Sequence, residues 1–238
     1  MARNEAEQRR DLAAAHRLVA GQGWDDLIFT QLTARIPDDP GHLLVSPFGV
    51  PCARVTASSL IKTDLQGRIV TGDGAIDALG FPLYGAIHES RPDVHCVLHL
   101  HTLDGIAVSA QRDGLLPLSQ TALLVHGDLA YHDYAGLGDE AALTRDLGER
   151  NNLILRNHGT LSVGATVADA WARLFTLERA CASQVRALAG GASVTRIAES
   201  VCAEFAPLAM EFMGGAAGDI AWPGILARLE DTDPDFAD

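Results

Sequence analysis

The chain has 238 residues, 47% of them hydrophobic, which is enough for a sizeable core in one large domain or two small ones. Its formal net charge of -13 excludes the clustered Lys and Arg that grip nucleic acid or anionic membrane surfaces. No apolar run approaches the roughly 20 residues of a membrane helix, and the polar opening stretch from Arg3 to Arg10 is unlike a secretory signal, so a soluble cytoplasmic protein is expected.

Residues 4–20 place Leu12, Ala15, Leu18 and Val19 at helical spacing, and Gly21 and Gly23 stop the helix. Segments 27–36, 43–46 and 60–70 are short apolar or β-branched runs separated by Pro, Gly and Asp, the pattern of a strand meander. A helix is expected near 80–90, ending at Arg91-Pro92-Asp93. A strand over 94–101 follows, then a helix from Asp104 to Arg112, and segments 122–132 and 153–162 supply further strands. Thr166, with Asp169 three residues on, caps a long helix that buries Trp171, Leu174, Phe175, Cys181, Val185 and Leu188 and ends at Gly190-Gly191. The tail from about 195 holds one more helix and a Trp222-Pro223 segment, and only the acidic last dozen residues read as disordered. With no internal repeat and no linker, the pattern is one α/β domain over 1–238, its core about 10–230, with a central antiparallel or mixed sheet flanked by helices.

Two residue types narrow the chemistry. Cys52, Cys96, Cys181 and Cys202 form no C-x-x-C pair and read as buried thiols of a reducing compartment. Lys62 is the single lysine, on a short strand running into a turn, so any Schiff-base mechanism would rest on that one residue.

The histidines offer another route. On a strand, Val94, Cys96, Leu98 and Leu100 face a core, while His95, Val97, His99 and His101 face the other way. Side chains two apart on one face stand about 7 Å apart, and two such imidazoles can converge on one ion. An isolated H-x-H is weak evidence. His158 strengthens it, because Arg156-Asn157-His158-Gly159 follows the apolar run Asn152–Leu155 and puts a third imidazole at a strand end before a glycine turn. Three neutral imidazoles leave positions open for substrate oxygens. His16, His42, His88, His126 and His132 fit hydrogen bonding or exposure better, with His132 and Tyr131 the ones to watch.

The stretches Trp24–Phe29, Ala34-Arg35, Ser46–Gly49, Gly80–Tyr84, Arg91–His95, His99–Thr102, Gly114–Ser119, Ala130–Tyr134 and Leu155–Gly159 together resemble the class II aldolase/adducin family, over about residues 10–230. The adducin-like branch is the nearer one. The resemblance implies an α/β (α+β) three-layer αβα sandwich around a nine-stranded, mainly antiparallel sheet. It also implies a homotetramer with active sites at subunit interfaces. A divalent metal, zinc first and Mn2+, Fe2+ or Co2+ as alternatives, would sit on His99, His101 and His158. In the family's aldolases the metal binds adjacent substrate oxygens and stabilises an enediolate after carbon–carbon cleavage, Lewis-acid work that replaces the Schiff base.

Two departures redirect the expected chemistry. Gly80 stands where the aldolases carry an acid/base glutamate, leaving Tyr131 as first choice for that role and His132 as second. The aldolases cradle phosphate with small hydroxyl and glycine residues where this chain has Thr30, Phe48, Ala78 and Leu79, and only Thr30 and neighbouring Gly49 keep that character. The expected substrate is therefore a non-phosphorylated small molecule, an aromatic or carboxylated hydroxy or oxo acid. Thr30, Phe48, Gly49 and Gly80 would line its site, and Arg35 or Arg156 would meet its carboxylate. The expected reaction is carbon–carbon cleavage through a metal-held enolate, either decarboxylation of a hydroxylated aromatic acid or aldol cleavage. The alternatives are an Fe(II) oxygenase at the same histidines and a non-catalytic adducin-like interaction module.

Overall fold

In the computed structural model, which describes residues 4–134, 136 and 138–238, the first helix, α1 (Glu5–Gln22), begins at a reciprocal cap. The Asn4 side chain accepts the Glu7 N–H, and the Glu7 carboxylate accepts the Asn4 N–H. The expected meander follows as β1 (Gln31–Ile36), β2 (Asp39–Val45), β3 (Ile61–Asp64) and β4 (Ile69–Thr71). Next come α2 (Phe81–Ser90), β5 (Cys96–Leu100) and α3 (Leu103–Ser109), close to their expected places.

Segment 122–132, expected as one strand, divides in two. The Ser119 side chain accepts the Ala122 N–H and caps α4 (Gln120–His126), and only β6 (Leu129–His132) is extended. A short helix that the sequence reading passed over, α5 (Glu140–Leu147), precedes β7 (Asn152–Leu155) and β8 (Gly159–Gly164). The long helix α6 (Val167–Ala189) opens at Thr166, whose hydroxyl accepts the Asp169 N–H as expected. The tail carries two helices rather than one, α7 (Glu199–Glu211) and α8 (Ala217–Thr232), joined through a kink at Gly214 and Gly215. Its acidic end is ordered, against expectation: Phe236 is 0% exposed, and Arg17 pairs with Asp233 and Asp235.

The strands form one sheet in the order β4-β3-β2-β1-β5-β8-β7-β6, antiparallel except for the parallel β6–β7 pair. Among the described residues the sheet has eight strands, where the resemblance implied nine. Helices cover both faces. On one, Leu32, Leu44, Cys96, Leu98 and Leu100 pack with residues of α1, α6 and α8. On the other, Val97, Leu153, Leu155, Leu161 and Val163 pack with Tyr84 and Ile87 of α2 and Leu143 and Leu147 of α5. The result is the expected three-layer arrangement. Central strands buried on both faces explain the near-continuous apolar run through β5.

Candidate metal centre

β5 alternates as its sequence demands. Cys96, Leu98 and Leu100 enter the α1/α6/α8 layer, while Val97 enters the opposite one beside Tyr84. His99 shares the Val97 face, with its ring centroid 6.3 Å from that of Tyr84, and it lies directly across from Gln31 on β1 and Leu161 on β8. His101 follows just past the strand end. His158 arrives from the β7–β8 turn, where Asn157 takes a left-handed φ of 57°. Asn tolerates that conformation better than most residues do. Gly159 is needed for a different reason, because a Cβ there would collide with the Leu100 carbonyl. The turn can press onto the end of β5 only with glycine at that position, and this approach brings His158 to the other two histidines.

The three rings meet through Nε2. His101 Nε2 stands 2.9 Å from His99 Nε2 and 3.0 Å from His158 Nε2. The second nitrogens decide what these contacts are. His99 Nδ1 lies 2.9 Å from the Thr160 carbonyl, which can only accept, so Nδ1 carries the hydrogen and Nε2 a bare lone pair. His101 Nδ1 faces the Asp26 carboxylate at 3.3 Å, with the same consequence. Two bare lone pairs at 2.9 Å repel unless a cation lies between them. Nitrogens bound to one ion at about 2.0–2.1 Å, in octahedral to tetrahedral arrangement, stand about 2.8–3.4 Å apart. The donor set therefore fits a divalent metal, and among the described residues it is the one converging group of three ligand-type side chains.

Electrostatics keep the rings neutral. Burial, reinforced by the charges His101 and His158 would carry, holds His99 well below the ordinary histidine value. Burial, then His101 and His132, brings His158 down to about 4. Burial also lowers His101, opposed by Asp26. Neutral imidazole is the metal-binding form.

A cleft opens over the triad, lined on one side by Phe48, Asp77, Leu79 and Gly80 and on the other by His132, Tyr134 and Leu143. His132 was second choice in the sequence and is the one that faces the cleft. Its Nδ1 lies 2.8 Å from Asp146 Oδ2 on α5, so Nδ1–H donates and Nε2 is the free nitrogen. That hydrogen bond is the main cause holding the Asp146 carboxyl below its usual range. Tyr131, the first choice, is adjacent on β6 and so points through the sheet to the other face. There it packs with Ile154 and Leu177, its hydroxyl accepts the Leu115 N–H at 3.0 Å, and Arg156 lies 4.4 Å above its ring.

Both arginines expected to meet a carboxylate are engaged away from the cleft. Arg35 is buried and donates to the carbonyls of Val94, Pro40 and His88. Arg156 donates to the Gln111 carbonyl at 2.6 Å. Thr30 and Gly49 line a smaller neighbouring cavity, which shares Phe48 and Asp77 with the cleft, and the Thr30 hydroxyl accepts the Asp26 N–H. Lys62 pairs with Asp39 and Glu5, and its hydrogen bond to Asp39 raises its pKa, so it stays charged and remote from the histidines. Sequence reasoning missed Asp26, Asp146 and Tyr134, whose ring lies 6.0 Å from that of His158. For Asp146 a signal existed, since Ala142, Leu143 and Leu147 at helical spacing mark α5.

Comparison with known proteins agrees with this geometry. The model of the class II aldolase and adducin N-terminal domain matches residues 10–185. The chain belongs to this family. A Caulobacter vibrioides protein named "Putative aldolase class 2 protein" is 45% identical, over 98% of this chain and 93% of its own length. An aldolase II superfamily protein from Pseudomonas syringae superposes with a TM-score of 0.95 at 38% identity, covering 100% of this chain and 98% of that one. The L-fuculose 1-phosphate aldolase from Glaciozyma antarctica superposes with a TM-score of 0.86 at 26% identity, over 98% and 92%. No helix among the described residues is long and apolar enough to cross a membrane.

Proposed function

We propose that this class II aldolase-family chain is a divalent-metal-dependent lyase that breaks a carbon–carbon bond in a non-phosphorylated hydroxy or oxo acid, by decarboxylation or by aldol cleavage. The observation that carries the reading is the meeting of His99, His101 and His158 through Nε2, with the Thr160 carbonyl and the Asp26 carboxylate directing two of the lone pairs inward. A bound divalent ion, zinc first for three imidazoles, would supply Lewis-acid polarisation of a substrate oxygen.

The chain's own residues carry the remaining work. His132, fixed in one tautomer by Asp146, presents Nε2 to the cleft as the group that takes up or delivers a proton. Phe48, Leu79 and Leu143 form apolar walls that suit an aromatic or short aliphatic body. Among the described residues lining the cleft there is no Lys or Arg, whereas Asp26, Asp77, Asp139 and Glu140 line it. A phosphate dianion would meet those carboxylates with no guanidinium or ammonium to answer it, which supports a substrate without phosphate. A carboxylate beside the scissile bond has only the three-histidine position and His132 to answer it. We also read the chain as one domain that works in the cytoplasm as a homotetramer. Exposed apolar side chains that line the cleft, Phe29 and Leu79, and its neighbouring cavity, Leu27, support burial there by neighbouring copies.

The test is metal content of the purified protein beside His99→Ala and His158→Ala, joined to a turnover screen. The screen sets hydroxylated aromatic acids and short hydroxy aldehydes against their phosphate esters. Stoichiometric metal in the wild type, its loss in both variants and turnover of an unphosphorylated compound are expected. Full occupancy in both variants refutes the triad, and turnover of phosphate esters alone refutes the substrate class.

A further inference from the structure

Glu178 stands midway along α6, 2% exposed, and the chemistry proposed above makes no use of it. Its Oε2 accepts the Thr102 hydroxyl at 2.5 Å, and its Oε1 accepts the Thr160 hydroxyl. Both threonines are tied to the histidine triad. Thr102 directly follows His101, and because its hydroxyl oxygen accepts the Gly105 N–H at 2.9 Å, its own hydrogen is free to go to Glu178. Thr160 lies two residues past His158, and its carbonyl accepts Nδ1–H of His99 at 2.9 Å. The carboxylate is thus linked to the backbone beside all three candidate ligands. The packing leaves it no slack, because a Cβ on Gly105 would stand 3.2 Å from Oε1 and 2.8 Å from Thr102 Oγ1.

Glu178 has hydrogen-bond donors but, among the described residues, no Lys, Arg or His forms an ion pair with it. An isolated buried carboxylate is costly, and two hydroxyls offset only part of that cost. The groups that would answer its charge are across the two threonines, where three neutral imidazoles would leave a divalent ion with its full positive charge.

We propose that Glu178 is the buried counter-charge of the metal centre, a positioning residue that holds the backbone of the triad through Thr102 and Thr160 and strengthens metal binding by its charge. The inference rests on the metal reading above, and it predicts opposite signs in two states of one variant. In metal-free protein the charge is unanswered, so Glu178→Gln, which keeps the shape and can hydrogen-bond both threonines, leaves the melting temperature unchanged or raises it. In the presence of metal the same variant loses a favourable charge and binds about 10–100-fold more weakly, the range for outer partners of metal ligands.

The experiment titrates chelator-stripped wild type and Glu178→Gln with Zn2+ alone, against a chromophoric competitor, and melts both proteins without metal. Weaker zinc binding with an unchanged or higher metal-free melting temperature supports the proposal. Equal zinc affinities overturn it, and so does weaker binding with a lower metal-free melting temperature, which marks a purely structural role. A wild type that binds no divalent ion removes the metal reading and this inference with it. Equal affinities in a zinc-binding wild type and variant remove only the role of Glu178. Should Glu178→Gln fail to fold, Thr160→Val, which strips one of the two donors, must weaken zinc binding in the same direction, and an unchanged constant overturns the proposal.

Discussion

Asp77 occupies the space that a side chain at Gly80 would need: a Cβ on Gly80 would stand 2.6 Å from Asp77 Oδ2 and 3.0 Å from Gln31 Nε2. The Gly80 backbone has an ordinary φ of -85°, so glycine is required there for room and not for conformation. Asp77 is held in that room by the Gln31 amide and by the Leu79 N–H, and Gln31 is the residue directly across the sheet from His99. Glycine at position 80 and the placement of Asp77 are therefore one feature, because the Asp77 carboxylate fills the room beside Gly80 on the wall of the cleft that both line.

The pair must behave as a unit. Gly80→Ala should displace the Asp77 carboxylate, at about 1 kcal/mol for an off-rotamer side chain. In Asp77→Ala only the end of the flexible Gln31 side chain has to give way, so the same alanine is accommodated at lower cost. Urea unfolding of the two single variants and the double variant should give a coupling of at least about 0.5 kcal/mol, whereas additivity within about 0.3 kcal/mol would show that the two positions do not compete.

His132 and Tyr131 are neighbours on β6 that the sheet separates, and their variants should separate as well. His132→Gln should lower kcat about 100-fold or more, the usual contribution of a positioned acid/base. Asp146→Asn should lower it less and in the same direction, with metal content and KM nearly unchanged. Tyr131→Phe removes the acceptor of the Leu115 N–H and should cost about 1 kcal/mol of stability with kcat intact. The checks are steady-state kinetics on the turned-over hydroxy or oxo acid and a denaturation curve for each variant. A kcat loss confined to Tyr131→Phe would reverse the assignment.

The contrast shows what the sequence could and could not give. Alternation along β5 sorted its residues into the face of Cys96, Leu98 and Leu100 and the face of Val97 and His99, and the structure keeps that sorting because period-2 geometry is local, whereas Val94, expected on the first face, lies before the strand and packs with Val97 instead. The same rule applied to β6 says that Tyr131 and His132 cannot both face one cleft. It cannot say which does, since that depends on the parallel pairing with β7 and on α5 behind it. Arg35 and Arg156 looked like substrate partners because a charge in a sequence shows no partners. In the fold, backbone carbonyls far away in sequence take their donors. Residues 122–132 misled because Leu123, Leu124 and Val125 suit strand and helix alike, and the Ser119 cap decides between them. Asp26 and Glu178 reach the triad only through long-range contacts and leave no local pattern to read.

Two histidines outside the site should contribute to the acid limit of the fold. Burial, opposed by the Leu12 carbonyl, brings His16 down to about 4, and burial with the Arg35 charge brings His88 down to about 3. Both are neutral in the native state, whereas in the unfolded chain they take up a proton near pH 6.5. Between pH 6.5 and about 4 the unfolded state therefore binds more protons, and stability falls as the pH falls through that window. His16→Gln should flatten the slope by up to about 1.4 kcal/mol per pH unit in urea titrations of metal-free protein at pH 7, 6 and 5. An unchanged slope would falsify the assignment of His16 as a buried neutral group.

Gly159 offers a test of the metal centre that leaves every candidate ligand in place. Its Cβ would run into the Leu100 carbonyl, and a backbone atom held in the last pair of the five-pair β5–β8 ladder cannot swing aside as a side chain does. Gly159→Ala must therefore lift the β7–β8 turn away from the end of β5, costing about 1–3 kcal/mol as an overpacking substitution. His158 rides on that turn, one residue away, so its Nε2 moves off the 3.0 Å approach to His101. Zinc affinity should fall toward that of His158→Ala although all three imidazoles remain. Gly105→Ala, crowded mainly by the ends of the Thr102, Thr160 and Glu178 side chains, should weaken binding less. Calorimetric zinc titration of the three variants gives the ranking. If Gly159→Ala bound zinc as tightly as the wild type, the close approach of the turn to β5 would not be what assembles the site.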